Sequence, residues 1–201
     1  KAKLLELNVC QSVDPLTAWR RGARRSYDSH PRSIPRTAIR RPRTRLLFSH
    51  RLFSPMKLSE SIVQTALAEV GTKELGKSNR GPRVDEYQRA TWLKPSDWGA
   101  WCASFVCWVI REAMKAEGIK ETSGFKRPQT AGAFDFERWS LAQDSTTQTR
   151  KPCGKDIERG DLVIWSFSHI SIALGPPDSK GMLKTVDGNS NARGSRTGGM
   201  V

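Results

Sequence analysis

A cysteine, a histidine and a pair of polar side chains lie along this chain in an order that could do nucleophilic chemistry on a carbonyl carbon. Cys102 stands in Trp98-Gly99-Ala100-Trp101-Cys102-Ala103-Ser104-Phe105-Val106, where a polar break gives way to an apolar run at helical spacing. His169 follows Ser168 and opens the alternating run Ile170-Ser171-Ile172-Ala173-Leu174, and Asp187-Gly188-Asn189 closes the next strand-like segment. A cysteine attacks as its thiolate, and the exposed N–H groups at the first turn of a helix stabilise negative charge. Cys102 is expected in that environment. A histidine brought within about 3 Å of the sulfur would act as general base. A polar group on the far ring nitrogen would fix its tautomer. Asp187 and Asn189 both qualify, because residues two apart share a face of a strand.

Each residue also has an inert reading. A cysteine at a helix start or a histidine at a strand start is often a packed core residue, and Asp-Gly-Asn-Ser is a common turn composition. The conjunction of all three in one order is what favours chemistry. Cys107 lies deeper in the same helix, where a thiol behaves as a small hydrophobe. Cys10 and Cys153 fall in segments with no predicted anchor, as do His30 and His50. Neither CxxC nor a paired Cys/His zinc spacing occurs, so no metal or cofactor is expected. Cys102 and Cys107 are five apart on one helix and point away from each other, and the cysteines are read as thiols in a reducing compartment.

These side chains need elements to position them. Ser59 is expected to cap a first helix, with Glu60 near its positive end and Ile62, Val63, Ala66, Leu67 and Val70 on its apolar face. Gly71 is suited to end it. Pro82 suits the first turn of a second helix through about Ala90, with Val84 and Tyr87 inward. Lys94 to Gly99 reads as a loop. The strongest helix follows, with Cys102, Phe105, Val106, Val109, Ile110 and Ala113 on one face and Gly118 at its end. A shorter helix is expected around Ala131 to Trp139. The last third turns to strands, Leu162–Trp165, Ile170–Leu174 and Met182–Val186, separated by Arg159-Gly160-Asp161 and Gly175-Pro176-Pro177-Asp178. Helices first and an antiparallel sheet afterwards predict an α+β fold.

Charge divides the chain. Of 34 Lys+Arg and 20 Asp+Glu, 13 and three lie in residues 1 to 55, leaving 21 against 17 for residues 56 to 201. The first segment is rich in Arg, Ser and Pro and lacks a helical or strand period, so it is expected to be a disordered basic arm. It could touch nucleic acid or an anionic polymer or serve as an Arg-rich targeting segment. As Met56 directly precedes the first helix, it could also be non-native upstream sequence with no role. The folded domain is expected over 56–201. No run approaches the roughly 20 apolar residues of a membrane span, and no secretion signal is expected at the start.

Trp101-Cys102-Ala103-Ser104-Phe105-Val106, Arg159-Gly160-Asp161-Leu162-Val163-Ile164-Trp165, His169-Ile170-Ser171-Ile172-Ala173-Leu174-Gly175 and Thr185-Val186-Asp187-Gly188-Asn189-Ser190-Asn191 resemble, in that order, the successive motifs of CHAP domains. These are papain-like cysteine amidases and peptidases related to NlpC-type wall hydrolases. The resemblance spans about Met56 to Val201. It implies a helix-borne nucleophile, Cys102, packed on a small antiparallel sheet, with His169 as base and cleavage of amide bonds in peptidoglycan. Asp187 stands where many members have a glutamate, and Asn189 matches an asparagine, so either is a candidate to orient His169. Only Asp97 lies where some members have an acidic calcium loop, so no calcium site is expected. Gly194 to Val201 resembles the approach to the family's last strand, which is expected to be missing.

The resulting expectation is a monomeric peptidoglycan hydrolase of bacterial or phage type, an N-acetylmuramoyl-L-alanine amidase or an endopeptidase. It would be made in the cytoplasm and act at the cell wall, as a phage endolysin does, without membrane contact. Trp98, Trp101 and Trp165 are candidates to line a substrate groove, with a core role as the alternative. Two other functions stay open. One is a non-enzymatic basic protein binding nucleic acid or anionic wall polymer through its arm. The other is papain-like hydrolysis or acyl transfer on a different amide.

Overall fold

The structure, a computed structural model, describes residues 57–143, 156–191 and 198–201, together with the backbone of two short strands, β1 (Leu7–Gln11) and β2 (Gln148–Lys151). Four helices come in order: α1 (Leu58–Leu67), α2 (Pro82–Gln88), α3 (Cys102–Ala116) and α4 (Asp135–Leu141). Three strands then form an antiparallel unit, β3 (Leu162–Trp165), β4 (His169–Ala173) and β5 (Thr185–Val186). The fold is therefore mixed helix and sheet, as the order of periodicities predicts.

The sheet order is β2-β1-β3-β4-β5, with β1 parallel to both β2 and β3. Strands β3, β4 and β5 form the small antiparallel sheet expected from the last third of the chain, and β1 adds a parallel pairing in which Val9 to Gln11 meet Leu162 to Ile164. The alternating residues of Leu7–Gln11 are too few to raise a strand signal, and the long-range partner supplies the order instead. The rest of the arm, including His30 and His50, lies outside the described residues, as does Cys153.

Helix α3 is the centre of the molecule. Every residue from Cys102 to Ile110 is buried, because α1, α2 and β4 all pack against the helix. The expected apolar face of α3 is buried throughout, and Ala103, Cys107 and Trp108 on other faces are buried too. Full burial of one side chain such as Phe105 contributes about 1.5–3 kcal/mol. Gly118 ends the helix with φ +65°, the left-handed conformation that glycine adopts at little steric cost. In α1, Ile62, Val63 and Ala66 face the core, but the helix stops at Leu67, which leaves Val70 exposed. Its N-cap is Lys57 rather than Ser59. Glu60 in its first turn binds Arg159, Nε to Oε2 at 2.7 Å, tying α1 to the turn before β3. Gly160 in that turn lies against Ser59; a Cβ there would be 2.6 Å from the Ser59 carbonyl oxygen.

The sheet has two differently used faces. Leu162, Ile164, Ile170 and Ile172 join the core under α3, whereas Val163 and Ala173 pack with Ile157 and the partly buried Trp165 and Leu183. By alternation His169 and Ser171 share this second face. The segment 198–201 forms bridges from Met200 to Lys73 and to Ser190. Met200 exchanges backbone hydrogen bonds of 2.9 and 3.1 Å with Ser190. Residues 192–197, which include Gly194 to Arg196, lie outside the described residues. Among the described residues no helix is long and apolar enough to cross a membrane.

Candidate active site

Cys102 is the first residue of α3, and Trp101 is the N-cap without any side-chain cap. The first N–H groups of a helix have no intrahelical acceptor, so Cys102 lies in the turn at the positive helix end, where the N-cap side chain makes no capping hydrogen bond. The segment before it is fixed from α2. Gln88, fully buried, donates to the Gly99 carbonyl at 2.7 Å and accepts from Ser104 Oγ at 3.0 Å. One amide thus joins the loop on one side of Cys102 to the helix on the other. Trp101 is fixed as well, stacked on Tyr87 and donating its indole N–H to Glu74 at 3.3 Å.

Tyr87 belongs to a second network under α3. Its hydroxyl donates to Glu69 at 2.5 Å, and Arg83 donates to both oxygens of the same carboxylate at 2.7 and 2.6 Å. Burial opposes charge on Glu69, but the bonds from Arg83 and Tyr87 prevail and hold its pKa below the usual value. Burial and the Glu69 bond push the Tyr87 pKa up.

His169 opens β4 after a three-residue hairpin in which Ser168 takes φ +61° and returns a bond to the Trp165 carbonyl. This is the left-handed turn residue that such hairpins need. Pairing then sets His169 opposite Trp165 and Ser171 opposite Val163. On the other side Ala173 faces Thr185 and Ile172 faces Val186, so the next position, Asp187, falls beside Ser171. The Nε2 of His169 lies 3.2 Å from Asp187 Oδ1. Its Nδ1 is buried with no hydrogen-bond partner, and the Cys102 side chain is close enough to influence the ring. Since Asp187 occupies Nε2, Nδ1 is the nitrogen left for the thiol. Burial is the largest influence on His169 and pushes its pKa down. The bond to Asp187 and the interaction with Cys102 oppose burial and raise it to about 9.

Asp187 is held from three sides: by His169, by the Ser171 hydroxyl on Oδ1, and by Thr185 Oγ1 on Oδ2 at 2.6 Å. Gly188 next to it presses on α3, where a Cβ would lie 2.5 Å from Phe105 Cβ. Asn189, buried with φ +56°, accepts from Gly198 through its carbonyl at 3.1 Å.

Of the expected site residues, Cys102, His169 and Asp187 come together. Asp187 makes the contact to His169, which separates it from Asn189. Trp101 is corrected: it is fully buried, so its ring cannot line a groove. Trp98 is half-buried, with the guanidinium groups of Arg80 and Arg89 over its ring at 4.9 and 5.5 Å. Trp165 is half-buried and donates to Ser171 Oγ at 2.7 Å. Cys107 is a core thiol 3.2 Å from the Thr130 carbonyl, and burial pushes its pKa up. Both Cys102 and Cys107 are free thiols. Among the described residues no cluster of His, Cys, Asp or Glu could hold a metal ion.

Ser171, Thr185 and Gln88 were not among the expected residues. The two hydroxyl residues had a signal, since each stands two positions along a strand from His169 or Asp187 and so shares its face. Gln88 had none, because its two partners are 11 and 16 residues away. The chain matches no family model, no curated protein and no solved structure.

Proposed function

We propose that the chain is a cysteine amidase or endopeptidase that cleaves amide bonds of peptidoglycan, with a papain-like arrangement of helix and sheet. The observation that carries the thiol chemistry is the juxtaposition of Cys102, at an uncapped helix start, with a His169 ring whose far nitrogen is bound by Asp187. The wall substrate rests on the resemblance of the four motifs to CHAP domains.

The steps follow from the groups present. His169 Nδ1 takes the Cys102 proton, leaving a thiolate beside an imidazolium bound to Asp187. The sulfur attacks the amide carbonyl carbon, and negative charge develops on the carbonyl oxygen. The backbone N–H of Cys102 at the helix start is the natural donor to that oxygen. As the C–N bond breaks, the imidazolium gives its proton to the departing amine. Water then attacks the thioester, His169 takes the water proton, and the acid product leaves as the proton returns to sulfur. A His169 pKa of about 9 suits the acid half of this cycle, because the ring keeps its proton at neutral pH until the amine needs it.

The test compares the full chain with Cys102→Ser on purified peptidoglycan sacculi, reading turbidity and the masses of released fragments. Release by the parent alone is expected, and the new termini would identify the bond. If neither protein releases fragments while circular dichroism shows both folded, the wall-hydrolase reading is refuted.

A further inference from the structure

The hydrogen bonds around Asp187 have only one consistent direction. The Trp165 indole nitrogen can only donate, and it does so to Ser171 Oγ at 2.7 Å. The Ser171 hydroxyl, having accepted there, directs its own hydrogen to Asp187 Oδ1. Thr185 donates to Oδ2 at 2.6 Å. A carboxylate only accepts, so the remaining contact, from His169 Nε2 to Oδ1 at 3.2 Å, is also a donation by the ring. In the neutral ring the proton is then on Nε2 and the lone pair on the buried, otherwise unpartnered Nδ1.

We propose that Trp165, Ser171 and Thr185 are positioning residues, a one-way chain of donors that fixes Asp187 and through it keeps the Nδ1 lone pair of His169 facing Cys102. The sheet builds this chain by register. Trp165 lies opposite His169, and Ser171 two residues further along β4 lies beside Asp187, so all the groups share one face. The short aspartate suffices because Ser171 and Thr185 bring donors to both of its oxygens. Trp165 thereby gains a role that groove lining does not describe: its indole removes the alternative direction for the Ser171 hydroxyl. Among the described residues, the titratable groups acting on His169 are Cys102 from α3 and Asp187 following β5.

The inference rests on the thiol–imidazole pair of the proposed mechanism and not on the wall substrate, so its test uses no peptidoglycan. Full-length parent, Ser171→Ala, Thr185→Val, Thr185→Ser and Trp165→Phe are compared in two assays. The first is the pH dependence of Cys102 alkylation by iodoacetamide, followed by peptide mass. The second is the nitrogen-15 spectrum of the His169 ring, assigned with His169→Gln. Losing a hydrogen bond to a charged group corresponds to about tenfold or more. Ser171→Ala and Thr185→Val are expected to slow alkylation at pH 7 about tenfold, to lower the His169 titration midpoint, and to mix the two tautomers of the neutral ring. Trp165→Phe is expected to shift both in the same direction by less, and Thr185→Ser to restore parental behaviour. Parental tautomer and alkylation profile in Ser171→Ala and Thr185→Val would overturn the proposal. If Ser171→Ala does not fold, the Thr185 pair decides alone. Intact relay behaviour with inert sacculi would refute the substrate and leave the relay standing.

Discussion

Substituting Gly188 by alanine should separate the two halves of the candidate site. The added Cβ would stand 2.5 Å from Phe105 Cβ and 2.8 Å from its Cγ. Ordinary carbon contacts are at about 3.5–4.0 Å, so the two segments must part by about 1 Å. Trimming residue 105 offers no relief, because the nearest atom is a Cβ that every residue except glycine carries. A glycine inside α3 would cost about 1 kcal/mol in helix propensity. The loop moves instead, and with it the neighbouring Asp187, whose 3.2 Å contact to His169 Nε2 lengthens toward 4 Å and is lost. Overpacking costs about 1–3 kcal/mol, and a misplacement of about 1 Å at a catalytic group costs on the order of 100-fold in rate. Urea unfolding and the initial rate on sacculi, measured on the same preparation, read these two quantities. Gly99→Ala, whose Cβ would meet nothing within 4 Å, is the stability control. A Gly188→Ala protein with parental rate and stability within about 0.5 kcal/mol of parent would refute the close-packing argument.

Further outcomes follow from the same structure. Cys107→Ala should lose about 1 kcal/mol in urea unfolding for the missing sulfur and keep the parental rate on sacculi, while Cys102→Ser loses the rate; an inactive but folded Cys107→Ala would contradict the assignment of the nucleophile. The folded His169 pKa of about 9 lies above its ordinary 6.5. Its contribution to stability is therefore complete below pH 6.5 and lost as the pH rises through about 9. Unfolding measured at pH 6 and 9.5 should fall more steeply for the parent than for His169→Gln, and parallel curves would count against that linkage. Gly160→Ala combines φ +90° with a Cβ 2.6 Å from the Ser59 carbonyl oxygen, so a loss of about 1–3 kcal/mol is expected. The Glu60–Arg159 pair is about one-third exposed on both sides; a double-mutant cycle should return a coupling of about 0.2–1 kcal/mol.

Local pattern carried much of this site. The helical spacing of Cys102, Phe105, Val106, Val109 and Ile110 located α3 and its first residue, and β3 spans the expected Leu162–Trp165. The hidden parts are those decided by distant partners. Ala103 and Trp108 lie off the expected apolar face, yet α1, α2 and β4 pack around α3 and bury them, whereas Cys107 is the small core hydrophobe its place in the helix predicts. Trp101 read equally as groove or core, and the ring of Tyr87 from α2 settled it as core. Ser59 looked like a cap, but α1 starts at Leu58. The choice between Asp187 and Asn189 was open because both share a strand face. The contact from His169 Nε2 falls on Asp187, and β5 ends at Val186, so strand alternation does not extend to Asn189, which takes φ +56°.

The stitching of segment 198–201 has a consequence for how the molecule opens. Val201 bonds Gly71 and Thr72 at 3.1 and 3.0 Å, Gly199 accepts from Glu74 at 2.8 Å, and Met200 pairs with Ser190. The same Glu74 holds the Trp101 indole just before Cys102, and Ser190 lies three residues after Asp187. Four residues, of which Val201 also packs against the core, therefore clasp the thiol-bearing half of the molecule to the carboxylate-bearing half. Amide protons of Gly71, Glu74, Ser190, Met200 and Val201 should exchange with solvent water as one cooperative unit. Each such opening would loosen both sides of the site at once while the helices beneath stay protected.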